Sequence, residues 1–383
     1  MLEKEVFLKN TAISLILLAF LALLSLSATG SLVTGTSGVF NKDVKVVIAN
    51  GVVVNPRVLI KEINMLKEEG YSLDNLYVSD RCSIILPYHE EMDALIEDQK
   101  GDEKVGTTKK GIGPCYSDKM NRIGIRAAEF VDPELFAKKL KNNVMEKNKI
   151  FKLEGYPEFD YEEMLAEFQE LAKIIKPYVT DTSYLLDEEI KKGSNVVFEG
   201  AQGVMLDIEH GTYPYVTSSS PSSSSIPVNT GISAAYITNS LGIMKAYTSR
   251  VGEGPFPTVL NDEIGETIRT VGREFGTTTG RARAVGWLDA IQMKHSIRVS
   301  GFTQLSIMLL DVLTGLEEIK IATGYKLDGK DIYSIPALER DYAKVEPQYI
   351  SMPGWTEDIT TCESYDESPQ NAKNYVTKIE EIL

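Results

Sequence analysis

The sequence predicts an α/β fold: a single large, mostly parallel sheet flanked by helices. Three observations lead there. Short β-branched runs recur along the chain, and stretches with helical periodicity fall between them. The runs are continuously apolar rather than alternating, as strands covered on both faces require. A chain of 383 residues that is 43% hydrophobic and 25% charged can bury a large core.

Taken in order, residues 44–49 (VKVVIA) form the first predicted strand, punctuated by Asn50 and Gly51. Pro56 opens a helix that carries Val58, Leu59, Ile63 and Leu66 at helical spacing and stops at Gly70. Residues 76–78 are a short strand. Asp132-Pro133 starts a helix bearing Leu135, Phe136, Leu140 and Val144. Residues 161–175 form an amphipathic helix with acids at its start, where the helix dipole favours them. Residues 195–199 (NVVFE), 243–247 (IMKAY), 305–310 and 319–325 are further strands. The serine-rich stretch 218–225 (SSSPSSSS) reads as a flexible loop, and no internal repeat is present.

Charge narrows the function. Forty basic against 55 acidic residues leave a net charge of −15, which repels nucleic acid at long range. An anionic ligand must therefore be met by a local cluster of Arg, Lys and backbone N–H groups. Cys82, Cys115 and Cys362 are far apart and odd in number, so they read as packing residues of a reducing compartment. The histidines are His89, His210 and His295, and no Cys/His spacing suggests zinc.

The N-terminus points elsewhere. Residues 11–26 (TAISLILLAFLALLSL) are uncharged, and the apolar character continues to Val33. This suits a signal peptide or a single membrane anchor over residues 11–33, although Glu3 and Glu5 offset Lys4 and Lys9. A buried core helix is the alternative. The chain accordingly divides into a leader, residues 1–36, and one domain, residues 37–383.

Four loops have the composition of anion or nucleotide sites. Residues 106–114 (GTTKKGIGP) combine glycines, paired threonines, Lys109 and Lys110, but lack the GK[ST] ending of a Walker A loop. Residues 198–217 (FEGAQGVMLDIEHGTYPYVT) deliver Gln202 at a strand's C-terminal end, where open α/β sheets bind ligands. Its amide can both donate and accept, as a purine edge requires. His210 and Tyr213 in that loop read equally well as packing or capping residues. Residues 275–289 (FGTTTGRARAVGWLD) offer hydroxyls and two guanidinium forks suited to phosphate or carboxylate. Residues 247–258 (YTSRVGEGPFPT) pair Arg250 with a Gly/Pro-rich turn.

GTTKKGIGP followed by Tyr116 and Asp118, EGAQG with LDIEHGTYPYVTSS, SRVGEGPFPT, EFGTTTGRARAVGWLD and the late MPGW (Met352 to Trp355) resemble the adenylosuccinate synthetase family in order and spacing. NGVVV (Asn50 to Val54) joins them, and the resemblance covers residues 37–383. It implies a P-loop-related fold and a cytoplasmic, homodimeric, GTP-dependent ligase that joins IMP to L-aspartate in purine (AMP) biosynthesis. A carboxylate would remove the N1 proton of IMP while GTP phosphorylates O6, and the aspartate amine would then displace phosphate. Residue by residue, the resemblance places Thr108, Arg122, Gln202, Thr217 and Arg281 at IMP, with Arg122 supplied across the dimer interface. It places Thr277, Thr278, Thr279, Gly280 and Arg281 at aspartate, and Arg283 and Asp311 at GTP.

The resemblance also implies Mg²⁺. The family's GDEGKGK-type and GGHNAGH-type segments, which hold the catalytic Asp, the catalytic His and the metal contacts, have no counterpart before Gly38. The family's guanine-reading TKLD is Met308-Leu309-Leu310-Asp311 here, and no STGPDR-type segment follows. The expectation is therefore a truncated domain without the family's catalytic and metal residues. Two rival readings follow: a non-catalytic IMP-binding pseudoenzyme, and a nucleotide-binding protein anchored or exported through its leader.

Overall fold

The computed structural model describes residues 37–101, 108–275 and 282–383. The leader expected over residues 1–36 lies outside them. Among the described residues, no helix is long and apolar enough to cross a membrane.

The chain is an α/β protein with parallel ladders and flanking helices, as its pattern predicts. Strand β1 (Val46–Ile48) pairs in parallel with β3 (Leu76–Ser79), and β3 with β5 (Val179–Thr180). A second parallel pair joins β2 (Val53–Val54) to β4 (Ser83–Ile84). Helix α1 (Pro56–Glu68) starts on Pro56, whose absent N–H would have had no helical partner there. Asn55 caps it by accepting from the amides of Arg57 and Val58, and Gly70 follows its end at φ +95°. Helices α2 (Pro87–Gln99) and α3 (Ile112–Met120) come next, then α4 (Pro133–Leu153) and α5 (Tyr161–Ile175). Asp132 and Asp160 cap the last two. Leu59, Ile63, Phe136, Leu140, Phe151 and Phe168 are almost wholly buried in one core. Each such side chain contributes roughly 1.5–3 kcal/mol of burial.

The second half is built on its own cluster around Tyr247, Trp287, Ile319, Ile321, Trp355 and Tyr375. Strands β6 (Leu241–Lys245) and β10 (Gln304–Met308) run in parallel, with Lys245 opposite Met308. Strand β7 (Thr248–Arg250) pairs antiparallel with β8 (Ala284–Gly286). Strand β9 (Leu288–Asp289) lies parallel to β11 (Glu318–Leu327), which pairs antiparallel with β12 (Lys330–Ile332) and β13 (Glu346–Pro353). Helix α6 (Ala290–Ser300) follows β9, and α7 (Gln370–Ile382) closes the cluster by burying Tyr375 and Ile379.

Three expectations change. Residues 195–199 join no ladder, and Val197 is 83% exposed. A β-branched run states a preference for strand, but a ladder also needs a partner edge. The strand expected at 243–247 ends at Lys245, because the chain turns there to bury Tyr247 in the core. Residues 218–225 are tied down by their own hydroxyls. Ser223 Oγ donates to Ser300 O (2.5 Å), and Ser225 Oγ donates to Ser220 O (2.5 Å) and Ser222 O (2.8 Å).

Candidate functional site

The first loop is pinned from below by α2. Residues 102–107 lie outside the described residues, and Thr108 stands exposed at their edge. Gly111 then adopts φ +72°, and its amide donates to Asp93 Oδ2 at 3.0 Å. A Cβ on Gly111 would come within 2.8 Å of the His89 and Glu90 backbone, so both conformation and space demand glycine. Helix α3 follows, and Tyr116 donates its hydroxyl to Gly51 O at 2.6 Å. Gly51 in turn presses on Asn229, which a Cβ would approach to 2.5 Å. NGVVV and the 226–230 turn are thus drawn onto the same helix.

Beneath α3 lies a buried His–Asp–Lys set. The Leu86 amide donates to His89 Nδ1 (2.9 Å), leaving Nε2–H to donate to Asp118 Oδ2 (3.1 Å). Lys147 Nζ donates to Asp118 Oδ1 (2.7 Å). Burial holds His89 below its ordinary pKa. Burial also opposes the charge on Asp118, but the bonds from His89 and Lys147 more than offset it and keep the carboxyl below the usual range. The Asp118 carbonyl accepts the amides of Ile123 and Gly124, fixing a turn in which Arg122 sits at φ +63° with its side chain exposed.

The second loop is organised by Asp207, which is fully buried. Its Oδ1 accepts from the amides of Glu209 (2.9 Å) and His210 (3.3 Å), and its Oδ2 from the amide of Ser222 (3.2 Å). The Thr217 amide donates to Leu206 O (2.8 Å), closing a compact loop that starts at Gln202, itself exposed at φ +54°. The His210 carbonyl accepts from His295 Nε2 (2.7 Å), and Tyr213 is 66% exposed. Arg250 from the fourth loop clamps this one. It donates to Thr212 Oγ1 (3.0 Å), Tyr215 O (3.2 Å) and Glu253 O (2.9 Å), and burial lowers its pKa. Gly254, at φ +113°, leaves room for Arg250 and the Tyr215 ring. Gly101, Tyr215, Glu253 and Gly254 line one cleft, and Gly113 of α3 faces Ser218 Oγ. The first, second and fourth loops therefore converge.

Of the third loop, Thr277, Thr278, Thr279, Gly280 and Arg281 lie outside the described residues. Its stem is described: Phe275 bridges Ala282, and the Arg283 amide donates to Glu274 O (2.9 Å). Arg283 Nη1 donates to the buried Glu274 Oε2 (3.0 Å). Glu274 also accepts from Lys245, at the C-terminal end of β6. Asp311 lies just past the parallel end of β10, and its charge bears on the buried Tyr247 hydroxyl. Arg283 and Asp311 thus share one end of a parallel pair, the location at which open α/β sheets bind ligands. Further on, Asp289 caps α6 and accepts from Tyr325 (2.6 Å); burial pushes its carboxyl up to about 6. Among the described residues, no three His, Cys, Asp or Glu side chains are placed to hold a metal ion.

No motif marks Asp93, Asp207 or Glu274 for these roles, and Asp118 is marked only by the resemblance. The one signal for Asp207 and Glu274 is adjacency: Asp207 sits inside the LDIEHG run, and Glu274 precedes FGTTTG.

Glycine- and threonine-rich loops gathered at sheet ends, floored by buried carboxylates, give this α/β protein the layout of a ligand-binding enzyme site. The comparisons specify the family. Residues 27–383 match the family model described as adenylosuccinate synthetase. The adenylosuccinate synthetase of Enterococcus faecalis is 52% identical over 348 residues, 91% of this chain and 81% of that protein. That of Bacillus cereus is 52% identical over 347 residues, 90% and 81% of the two chains. A solved structure, fully ligated adenylosuccinate synthetase from Plasmodium falciparum, superposes with a TM-score of 0.86 at 35% identity, covering 91% of this chain and 82% of that one. The chain belongs to the adenylosuccinate synthetase family, carbon–nitrogen ligases of purine biosynthesis. These relatives lend no support to the non-catalytic or membrane-anchored readings.

Proposed function

We propose that this chain ligates IMP and L-aspartate to adenylosuccinate, driven by GTP, as a cytoplasmic homodimer. The observation that carries the reading is the convergence of the Thr108, Gln202–Thr217 and Arg250 loops, with Arg283 and Asp311 together at the β6/β10 end. In this reading Thr108, Gln202 and Thr217 hold IMP, joined by Arg281. Gln202's amide reads the purine edge, and the threonine hydroxyls donate to phosphate. Thr277 to Arg281 receive aspartate, Arg281 through its guanidinium fork. Arg283 meets the anionic part of GTP, and Asp311 accepts from the guanine N1–H and amino groups.

The reaction runs in two transfers. A carboxylate base takes the N1 proton of IMP as O6 attacks the γ-phosphorus and the bond from that phosphorus to the β,γ-bridging oxygen breaks, giving 6-phosphoryl-IMP and GDP. The aspartate amine then adds at C6, gives up a proton to solvent, and the C6–O bond breaks to release phosphate. Bound Mg²⁺ in this family supplies charge neutralisation on the nucleotide phosphates. The chain's own contribution is positioning and cationic donors at the developing charge. The exposed turn that presents Arg122, flanked by Met120 (73% exposed) and Ile123 (43% exposed), supports a face covered by a second copy.

The test is product formation by the full chain with IMP, aspartate and GTP, each omitted in turn. Adenylosuccinate appearing only with all three is expected. Absence of product, with IMP binding intact by calorimetry, would overturn the ligase reading.

A further inference from the structure

The stem of the third loop contains a charge arrangement that the reaction scheme leaves unused. Glu274 is fully buried, directly before the 276–281 stretch. Its Oε1 accepts from Lys245 Nζ (2.5 Å) and Tyr247 Oη (2.5 Å), and its Oε2 from Arg283 Nη1 (3.0 Å). Lys245 also donates to Ser249 Oγ (2.7 Å), and the Arg283 carbonyl accepts from Arg269 Nε (3.0 Å). Two cations therefore share one carboxylate. Among the described residues, Arg283 Nε is buried and meets no acceptor. One guanidinium nitrogen is thus fixed from behind, and the described residues do not saturate the fork.

We propose that Glu274 is the positioning residue for Arg283, with Lys245 as its standing counter-ion and Tyr247 as the donor that sets the carboxylate's orientation. The proposal rests on the reading of Arg283 as facing GTP. Its physical content is a division of labour. A buried carboxylate facing a single arginine would neutralise it, and breaking that pair would leave an uncompensated buried charge. With Lys245 also present, the carboxylate is compensated whether or not Arg283 leans toward a ligand. Arg283 keeps its net positive field and loses only its freedom to rotate. Without the carboxylate, Lys245 and Arg283 repel each other and the guanidinium is no longer held at the stem.

A merely structural Glu274 would behave differently, because its loss would damage every substrate's site through the shared fold. The deciding experiment measures steady-state KM for GTP, IMP and aspartate on the full chain as wild type, Glu274→Gln, Arg283→Ala and the double variant, with Tm recorded for each. The expected result is a rise of about tenfold or more in KM for GTP in Glu274→Gln, with KM for IMP within about twofold of wild type. In the Arg283→Ala background the same change should add nothing, because the residue it acts through is gone. Parallel rises in all three KM values, or a full additive effect in the double variant, overturns the proposal. If Glu274→Gln does not fold, Tyr247→Phe is read instead: KM for GTP should rise about threefold with IMP unaffected, and an unchanged KM for GTP sinks the idea. A wild type that makes no adenylosuccinate overturns the ligase reading and this proposal with it. An active wild type with an unaltered Glu274→Gln overturns this proposal alone.

Discussion

Asp207→Asn isolates what holds the Thr217 loop in shape. The substitution keeps the side chain's size and changes one oxygen into an NH₂ group. In the native loop Oδ1 takes two amides, from Glu209 and His210, and Oδ2 takes the amide of Ser222. An asparagine can keep its oxygen on the first pair, but its NH₂ then faces the Ser222 N–H, donor against donor. Flipping the amide loses two bonds instead of one. The better orientation loses a charge-assisted bond worth about 1.5–3 kcal/mol and leaves buried donors unsatisfied at about 1–3 kcal/mol. Partial relaxation of the serine loop recovers some of this, so a net loss of roughly 3 kcal/mol is expected. That is about a hundredfold in the unfolding constant. Urea unfolding followed by fluorescence, with m checked for constancy, gives the number. IMP affinity should fall with it, because the Ser222 bond ties residues 203–217 to the 218–225 turn. A stability change below about 0.5 kcal/mol would refute the idea that Asp207 organises this loop.

Three other outcomes follow from the same geometry. His89, buried neutral with a depressed pKa, binds its proton only after unfolding; its stabilising share is complete above about pH 6.5 and is lost as pH falls from there through the folded value. Wild type should therefore lose stability faster than His89→Gln across that window, and parallel stability–pH curves would count against it. Asp289, raised to about 6, has the opposite sign between its unfolded value and pH 6, and it cancels in the comparison because both proteins carry it. Arg250→Lys keeps the charge but cannot span Thr212, Tyr215 and Glu253 at once, so IMP binding should weaken about tenfold by calorimetry. Gly111→Ala imposes φ +72° on a residue with a Cβ and drives that Cβ to 2.8 Å from the His89 backbone; a loss of roughly 2 kcal/mol or more is expected in thermal unfolding.

The sequence revealed most where one residue type has one physical use. Pro56 after Asn55, Asp132-Pro133 and the acids after Asp160 mark helix starts, and all three helices begin there. Residues 195–199 show the opposite case. Their β-branched content is real, but whether a neighbouring edge exists is a tertiary fact that no local pattern carries. The β11–β12 turn does carry a local signal: Asp328 and Gly329, at φ +50° and +75°, are the Asp-Gly pair that a two-residue hairpin favours. Within the site, the glycine, threonine and arginine loops announced themselves because exposed, composition-biased segments are unusual. Their supporting carboxylates did not, since a lone Asp or Glu in sequence looks the same whether it is solvated or buried under a loop.

Those carboxylates explain how an acidic protein meets anionic substrates. With a net charge of −15, simple attraction cannot gather IMP, aspartate and GTP. Cations and N–H groups have to be concentrated locally, and concentrated cations repel one another. A buried carboxylate under each loop resolves the conflict in different ways. Asp93 takes the Gly111 amide and sets the backbone of the first loop. Asp207 takes three amides and sets the second. Glu274 takes two cations and a phenol and sets the stem of the third. In the first two cases the carboxylate spends its acceptors on backbone N–H groups and leaves the loop's own hydroxyl and amide side chains free of it, which suits the recognition proposed for Thr108, Gln202 and Thr217. In the last it fixes a guanidinium without cancelling it, which suits a polyanion. The chemistry proposed at each loop therefore follows from what lies beneath it, and the third should respond to salt through Arg283. If Arg283 meets GTP by charge, screening weakens that contact, so raising ionic strength from about 0.05 to 0.5 M should raise KM for GTP several-fold in wild type and much less in Arg283→Ala. Equal salt dependence in the two proteins would remove the distinction.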